Sequence, residues 1–212
     1  MFNPLYAQKK LNMANTIKKA TGDFGNLIVL SGPSGVGKGT VIRKLLTLLP
    51  NVIRSTSVTT RDPRPGEVED VDYFFKSKNE FEALIEADAF LEWALYADNY
   101  YGTLKEFVSE KQRLGLDVIL EIEVQGARQV KAIKNDIILI FISPPDFTTL
   151  ESRLRHRATD SDSSIESRLK TARLELAARS MFDYEVINED LDEAVHDLLH
   201  IIKAQRLKIH KG

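Results

Sequence analysis

The chain has 212 residues, 43% of them hydrophobic and 28% charged, which is the balance of a globular protein and not of a disordered or fibrous one. It contains no cysteine, which excludes disulfide frameworks, cysteine-ligated zinc, iron–sulfur clusters and thiol catalysis. With 29 basic and 31 acidic residues the net charge is −2, so no overall charge draws the chain to nucleic acid or to an anionic membrane. Phosphate binding therefore requires a local site.

The first residues of the chain differ in composition from the rest. Residues 1–22 contain four lysines and no acidic residue, but they lack the arginines of a transit peptide and the apolar stretch of a secretion signal. We expect residues 1–25 to form a flexible extension, with Met13 as an alternative translation start. The longest apolar run, Ile137–Ile142, is far below the ~18 residues that span a bilayer. We therefore expect a cytoplasmic protein with no membrane partner.

The organised part of the chain begins with a strand, a glycine-rich turn and a helix. Residues 27–30 are a short apolar run bounded by Gly25 and Gly32, as expected for a buried parallel strand. Thr40–Leu49 carries apolar residues at helical spacing until Pro50 ends the pattern. This is one βα unit.

Further apolar runs occur at Asp117–Glu123, Ile137–Ile142 and Tyr184–Ile187, and each precedes a helical stretch. Strands that alternate with helices predict an α/β fold built on a parallel sheet. The last helix, about Asp190 to Leu207, is amphipathic and is expected to pack on the core.

Residues 55–107 interrupt this alternation and are richer in Thr, Tyr, Phe and turn residues. We predict a mixed β insertion there, with one helix that begins at the capping box Ser77-x-x-Glu80. A second capping box, Thr103-x-x-Glu106, is predicted to begin the following helix, which Gly115 ends.

The glycine-rich turn has the spacing of a phosphate-binding P-loop. It consists of Gly32, Pro33, Ser34, Gly35, Val36, Gly37, Lys38, Gly39 and Thr40. The glycines let successive backbone N–H groups surround a phosphate, the following helix presents its positive end, and Lys38 can reach the β- and γ-phosphates. A turn that merely closes a βα unit is the alternative. Gly39 stands where many P-loops carry a serine or threonine for magnesium, so Thr40 or water must supply that ligand.

Three side chains of the insertion also indicate chemistry. Arg61 and Arg64 flank a proline-stiffened turn, and guanidinium groups bind phosphate bidentately, although an isolated pair of surface arginines is equally ordinary. Glu92 lies in an otherwise apolar strand, where a carboxylate needs a donor unless it faces water at the strand edge.

Several motifs in one order resemble the guanylate kinase family, whose members convert ATP and GMP to ADP and GDP. They are the P-loop, T-T-R-x-P-R-x-G-E at residues 59–67, F-L-E-W-A at 90–94, N-Y-Y-G-T at 99–103, V-Q-G-A at 124–127, and the arginine pattern around residues 153–169. The resemblance covers about Asn26 to Leu207. It implies a three-layer P-loop core (26–54, 108–150 and 174–212) with a parallel sheet of about five strands, a mixed β/α GMP-binding insertion (55–107) and a small helical lid (151–173).

The resemblance also assigns roles to residues. The GMP phosphate would be held by Arg61, Arg64, Tyr73 and Tyr101, and the guanine by Ser57, Glu92 and Thr103. Glu123 would lie on the GMP side, and Glu121 would help organise Mg²⁺, together with Thr40. Both are glutamates where the family commonly has aspartate, and both could instead be charges at the solvent-facing end of a strand. Arg157 and Arg168 would close on ATP, and Asn188 would lie near the adenine.

The expected reaction is in-line phosphoryl transfer that relies on Lys38, Arg61, Arg157, Arg168 and Mg²⁺, with no obligatory general base. The partners are ATP and GMP, with dGMP also expected to be accepted, no nucleic acid, and a monomer or homodimer. Two alternatives remain open. One is a guanylate-kinase-like protein-interaction module, and the other is a kinase of another phosphate ester such as ribose bisphosphate. The latter should lack the guanine-reading side chains.

Overall fold

The computed structural model describes residues 24–96, 98–156 and 162–208. The predicted extension therefore lies outside the described residues, except for its last two. Gly25, one of these two, forms two hydrogen bonds with Gln112. Its N–H donates to the Gln112 backbone carbonyl (2.9 Å), and its carbonyl accepts from the Gln112 side-chain amide (2.6 Å).

The larger of two sheets has five strands, all parallel, in the spatial order β2–β7–β1–β8–β9. These strands are β1 (Leu27–Ser31), β2 (Val52–Arg54), β7 (Asp117–Glu121), β8 (Ile138–Ser143) and β9 (Tyr184–Ile187). The helices of the described chain are α1 (Lys38–Leu48), α2 (Lys78–Glu86), α3 (Lys105–Arg113), α4 (Val124–Ile133), α5 (Phe147–Arg155), α6 (Asp162–Ala177) and α7 (Leu191–Arg206).

Strand β1 explains why the large sheet is covered on both faces. Successive side chains of a strand point to opposite faces, and Ile28 and Leu30 pack in one apolar cluster while Leu27 and Val29 pack in another. Helices α1, α5, α6 and α7 contribute to the first cluster, and α3 and α4 to the second. The predicted three-layer α/β core with a parallel five-stranded sheet is confirmed.

The smaller sheet has the order β4–β3–β6–β5 and consists of β3 (Ser57–Thr59), β4 (Tyr73–Phe75), β5 (Phe90–Tyr96) and β6 (Asn99–Leu104). The β3–β4 pair is parallel and the other two pairs are antiparallel, so the sheet is mixed, as predicted. Its core is aromatic: the Phe81 ring stacks on Phe90 (4.5 Å between centroids) and on Tyr100 (5.1 Å). Helix α2 begins with the predicted capping box, because the Ser77 hydroxyl accepts from the Glu80 N–H and the Glu80 carboxylate accepts from the Ser77 N–H.

Two local predictions are wrong. Helix α3 has Leu104 as its N-cap and no side-chain cap, because the Thr103 hydroxyl donates to Glu92 across the sheet and is not turned toward the helix. Strand β7 ends at Glu121, so Glu123 lies outside the strand and is the N-cap residue of α4. Apolar periodicity could not mark that end, because Ile122 continues the apolar pattern.

The elements bring three chain segments to one edge of the large sheet. The P-loop follows β1, Glu121 ends β7 next to it, and Asn188 follows β9. Ligands of open parallel sheets bind beyond the carboxyl ends of the strands, so this edge is where a site is expected. Within the described ranges, no helix combines the length and the apolar character needed to cross a membrane.

Candidate active site

The P-loop forms a turn around the side chain of its own lysine. Gly37 is the N-cap of α1 and has a left-handed backbone (φ 97°) that a residue with a side chain rarely adopts. The Lys38 ammonium donates to the backbone carbonyls of Gly32 and of Pro33. The predicted loop residues Pro33 and Val36 are buried, so they offer only backbone to a ligand.

A cavity of about 290 Å³ opens on this loop. It is lined by Ser34, Gly35, Gly37, Lys38, Gly39, Thr40, Arg43 and Glu121. Arg43 was not predicted; its Nη2 donates to the Thr40 hydroxyl oxygen (3.1 Å) from one turn further along α1. The only sequence signal for it was its position three residues after Thr40.

Side chains from other elements hydrogen-bond to the P-loop or to the residues that contact it. The Asn188 side-chain amide donates to the Val36 carbonyl (2.7 Å), and Arg153 donates to the Asn188 carbonyl (3.0 Å). Asn188, assigned to the adenine by resemblance, is thus buried against the loop. Arg153, expected on a solvated helix face, is partly buried there. The Arg168 guanidinium donates to the Ser34 hydroxyl (3.0 Å). Arg157 lies outside the described residues.

A second cavity, of about 330 Å³, lies between the two sheets. It is lined by seven of the eight predicted GMP residues, namely Ser57, Arg61, Arg64, Tyr73, Glu92, Tyr101 and Glu123, and also by Ala94, Tyr96, Gly102, Glu121, Ile122 and Gly126. The eighth, Thr103, is hydrogen-bonded to Glu92. Glu121 lines both cavities, so the two meet at its carboxylate.

One end of the second cavity is basic. Arg61 Nη2 pairs with the Glu67 carboxylate (2.8 Å), its guanidinium lies 5.4 Å from the centre of the Tyr73 ring, and Tyr73 packs edge-on against Tyr101. The Arg61 guanidinium holds the pKa of Glu67 below its ordinary value, helped by the Arg64 N–H. Glu67 thus orients Arg61 and fixes the turn that carries Arg64. It was quoted in the motif but given no role.

The other end of the cavity holds one buried carboxylate. Glu92 is 6% exposed, and its Oε1 accepts a 2.6 Å hydrogen bond from the Thr103 hydroxyl. Burial raises the pKa of Glu92 to about 7, the Thr103 hydrogen bond opposes that rise, and the charge of Glu123 adds to it. Such a group can accept two parallel hydrogen bonds from a ligand with adjacent donors.

Gly126 makes room for this carboxylate. A β-carbon at position 126 would lie 2.8 Å from Glu92 Oε2, closer than a real contact allows. The glycine of the V-Q-G-A motif, in α4, thus leaves the space into which Glu92 reaches from the smaller sheet, a contact that the sequence could not show.

Glu121 is the last residue of β7 and is half-buried in the site, whereas Glu123 lies two residues beyond the strand and is exposed although it lines the second cavity. Arg54 Nη1 lies 3.4 Å from Glu121 Oε2, and Glu121 Oε1 lies 3.4 Å from the place that a β-carbon of residue 39 would occupy. The longer glutamate thus reaches the space left by the missing side chain of Gly39.

The donor set at the loop fits a magnesium ion that is bound mainly through substrate phosphates. Among the described residues no group of three or more His, Asp or Glu side chains could cage a metal. Thr40 and Glu121 supply one hydroxyl and one carboxylate beside the phosphate loop. Mg²⁺ keeps several waters and commonly takes one or two protein oxygens plus phosphate oxygens, which these two residues match.

Comparison with known proteins agrees with the geometry. Residues 24–205 match the family model described as guanylate kinase. A guanylate kinase of Synechococcus sp. (strain JA-3-3Ab) is 53% identical over 82% of this chain and 80% of its own length, and one of Synechocystis sp. (strain PCC 6803) is 51% identical over 84% and 93%. The crystal structure of guanylate kinase from Anaplasma phagocytophilum superposes with a TM-score of 0.71 at 33% identity, covering 88% of each chain. The chain belongs to the guanylate kinase family.

Proposed function

We propose that this protein is a guanylate kinase that transfers the γ-phosphoryl group of ATP to GMP, and to dGMP, giving ADP and the nucleoside diphosphate. One observation carries the proposal: a cavity with a basic end and a single buried carboxylate meets the P-loop cavity at Glu121. A nucleoside monophosphate has the matching polarity, with its anion at one end and its base at the other.

Glu92 supports guanine as the base. The Watson–Crick edge of guanine offers two adjacent donors, N1–H and the 2-amino group, to one carboxylate. Adenine offers an acceptor at N1 and no 2-amino group, so AMP gives the buried Glu92 no donor beyond the Thr103 hydroxyl. A site with buried polar groups rejects a ligand that cannot pair with them. We assign Ser57 and Thr103 to the same base.

The phosphate of GMP belongs at the basic end. Arg61 and Arg64 can grip its oxygens with their guanidinium groups, and Tyr73 and Tyr101 can donate hydroxyl hydrogen bonds to it. Arg61 must then share its guanidinium between Glu67 and the phosphate, because the two acceptors compete for the same N–H groups.

Phosphoryl transfer needs little from the protein except position and positive charge, because negative charge spreads over the transferred oxygens. We assign this role to Lys38, Arg61 and Arg168, with Arg157 as a further cation. The N–H groups of the P-loop and the start of α1 add partial positive charge. Thr40 and Glu121 would hold Mg²⁺, which supplies charge neutralisation on the phosphates when it is bound.

We also propose which segments of the chain bind GMP and cover the substrates. The smaller sheet, within residues 55–107, is the GMP-binding insertion, and residues 151–173 are the lid. Closure of both over the substrates would exclude water, which otherwise hydrolyses ATP. We infer a cytoplasmic monomer or homodimer that binds neither nucleic acid nor membrane.

The test is a coupled ADP-release assay with ATP and Mg²⁺, in which GMP, dGMP, AMP, UMP and ribose 1,5-bisphosphate are offered separately. We expect turnover with GMP and dGMP alone, with GDP or dGDP identified as product. Turnover of ribose bisphosphate instead would overturn the assignment of the second cavity. No turnover by folded protein would favour an interaction module. Omission of Mg²⁺ tests the metal, and analytical ultracentrifugation tests the oligomeric state.

A further inference from the structure

Arg43 is a cation of the P-loop cavity that no motif in the sequence indicated. It lies on α1, five residues after Lys38, and both side chains line the same cavity of about 290 Å³. Long side chains of a helix point back toward its N-terminus, so a residue of the second turn can reach the loop that precedes the first. Arg43 Nη2 accordingly donates to the hydroxyl oxygen of Thr40, three residues earlier (3.1 Å). The guanidinium group therefore lies beside the end of the P-loop.

The missing side chain of Gly39 leaves space next to this guanidinium. A β-carbon at position 39 would lie 3.6 Å from Arg43 Nη1 and 3.4 Å from Glu121 Oε1, so these two groups border the same space. Many P-loops carry a serine or threonine at this position, and its hydroxyl would add a further atom there. With glycine, no side chain separates the Arg43 guanidinium from the backbone of the loop.

The contacts of Arg43 leave its guanidinium available to an anion. Within the described ranges its acceptor is the neutral Thr40 hydroxyl, and no carboxylate forms an ion pair with it. Glu121, the carboxylate that lines the cavity, pairs with Arg54 (3.4 Å between Oε2 and Nη1). Phosphate oxygens are charged and are stronger acceptors than a hydroxyl, so they can draw Arg43 away from Thr40. Because Arg43 is exposed, this movement leaves no charge buried and unpaired.

We propose that Arg43 binds the phosphates of ATP directly, as a further cation of the cavity beside Lys38. The inference rests on the proposed function, because it takes this cavity to be the ATP site. A guanidinium fork can bind two phosphate oxygens at once, whereas the ammonium of Lys38 acts as a point charge. Arg43 thus contributes affinity for ATP and ADP, and not for GMP, whose phosphate belongs to the other cavity. Its movement also releases the Thr40 hydroxyl oxygen, which the proposed function assigns to Mg²⁺.

Mg²⁺ separates this direct contact from an indirect one. If Arg43 only oriented Thr40 as a metal ligand, its removal would weaken nucleotide binding only when Mg²⁺ is present. A contact between the guanidinium and the phosphates persists without the metal. The decisive measurement is therefore isothermal titration calorimetry of ADP in EDTA, repeated in Mg²⁺. Calorimetry of GMP and KM for ATP and for GMP complete the comparison.

Two variants of Arg43 and one control separate charge, shape and fold. Arg43→Met removes the cation and keeps a long side chain that favours the helix, whereas Arg43→Lys keeps the charge and loses the fork. Lys44→Met removes a cation from the next position of the same helix, where Lys44 pairs with Asp192. Circular dichroism and thermal unfolding show whether each variant is folded.

We expect Arg43→Met to weaken ADP binding in EDTA by about tenfold, which corresponds to about 1.4 kcal/mol for one charge-assisted contact at an exposed position. Arg43→Lys should recover part of this loss and bind ADP within about threefold of the unaltered protein. Lys44→Met should bind ADP within about twofold. GMP affinity should stay within about twofold in all three variants, and KM for ATP should rise about tenfold in Arg43→Met alone.

Four results would overturn the inference. Unchanged ADP affinity of Arg43→Met in EDTA would exclude the phosphate contact, and a loss confined to Mg²⁺ would make Arg43 a positioning residue for the metal. An equal loss in Lys44→Met would assign the effect to the charge of the helix as a whole. Failure of Arg43→Lys to recover any affinity would assign it to packing.

The calorimetry of ADP also separates this inference from the proposed function. Because it needs no GMP, it decides the role of Arg43 even if the unaltered protein binds ADP and fails to phosphorylate GMP, which would overturn the proposed function alone. Conversely, GMP phosphorylation by the unaltered protein together with unchanged ADP binding by Arg43→Met would overturn only the inference.

Discussion

Protonation of Glu92 should control the affinity of the protein for GMP. Burial raises the pKa of this carboxyl group to about 7, so the group is largely protonated at pH 6 and largely ionised at pH 8. Only the ionised form can accept from both guanine donors. The ionised fraction rises from about one in eleven to about ten in eleven over this range, so the affinity for GMP should rise about tenfold.

The same pKa shift also predicts how many protons are released when GMP binds. A carboxyl group moved from its ordinary pKa of 4.5 to about 7 carries a cost of ionisation of about 3 kcal/mol in the empty site. The two guanine donors must offset that cost, which lowers the pKa of Glu92 in the complex. GMP binding near pH 7 should therefore release about half a proton from Glu92, since about half of the groups are protonated before binding.

The assay is isothermal titration calorimetry of GMP between pH 6 and pH 8, in buffers of different ionisation enthalpy, with the unaltered protein and with Glu92→Gln. The GMP phosphate itself titrates near pH 6, but it does so with both proteins, so the difference between them isolates Glu92. We expect Glu92→Gln to bind GMP about 100-fold more weakly at pH 8, because one charged acceptor is lost and an amide N–H faces a donor.

The variant should remain folded. The pKa of Glu92 in the folded protein lies above its unfolded value, so the stability it contributes is present below pH 4.5 and is lost as pH rises through about 7. Glu92→Gln should thus unfold at an equal or higher temperature at pH 8. The reasoning is refuted if the unaltered protein and Glu92→Gln show the same pH dependence of GMP affinity, or if GMP binding releases no additional proton in the unaltered protein.

Three further substitutions test neighbouring parts of the site. Thr103→Val removes the hydroxyl that lowers the pKa of Glu92, so the midpoint of the GMP affinity profile should move to higher pH; an unmoved midpoint contradicts this. Gly126→Ala should displace the Glu92 carboxylate and raise KM for GMP about tenfold with KM for ATP unchanged, whereas an unchanged GMP value would show that the site relaxes. Lys38→Ala should lower kcat by at least about 100-fold with an unchanged circular dichroism spectrum, and surviving turnover would remove Lys38 from the mechanism.

The sequence predicted those features that depend on residues close together in the chain. The P-loop, the capping box at Ser77, the strand Tyr184–Ile187 and the helix that follows Asp190 all lie where expected. Each is set by periodicity or by a hydrogen bond that spans a few residues. The resemblance to a family added candidate residues that the structure brings to the two cavities.

A prediction from local sequence was wrong where a side chain binds a residue that is distant in the chain. Thr103-x-x-Glu106 has the spacing of a capping box, but the Thr103 hydroxyl donates to Glu92 on the neighbouring strand. That bond holds the hydroxyl against the neighbouring strand, and its oxygen accepts from no N–H at the start of α3. No pattern within residues 103–106 carries that information.

Only the tertiary structure decided which distant residues share a site. Ser34 and Arg168 are 134 residues apart in the chain and are hydrogen-bonded, and Glu121 lies beside Gly39 from a different strand. The order of the parallel strands brings them together, because β7 and β8 flank β1 and carry their following loops and helices to the edge where the P-loop begins. Sequence periodicity determines which face of an element is buried, but it does not determine which other element covers that face. Which residues line the two cavities and which hold the P-loop was therefore decided by the packing of the whole domain.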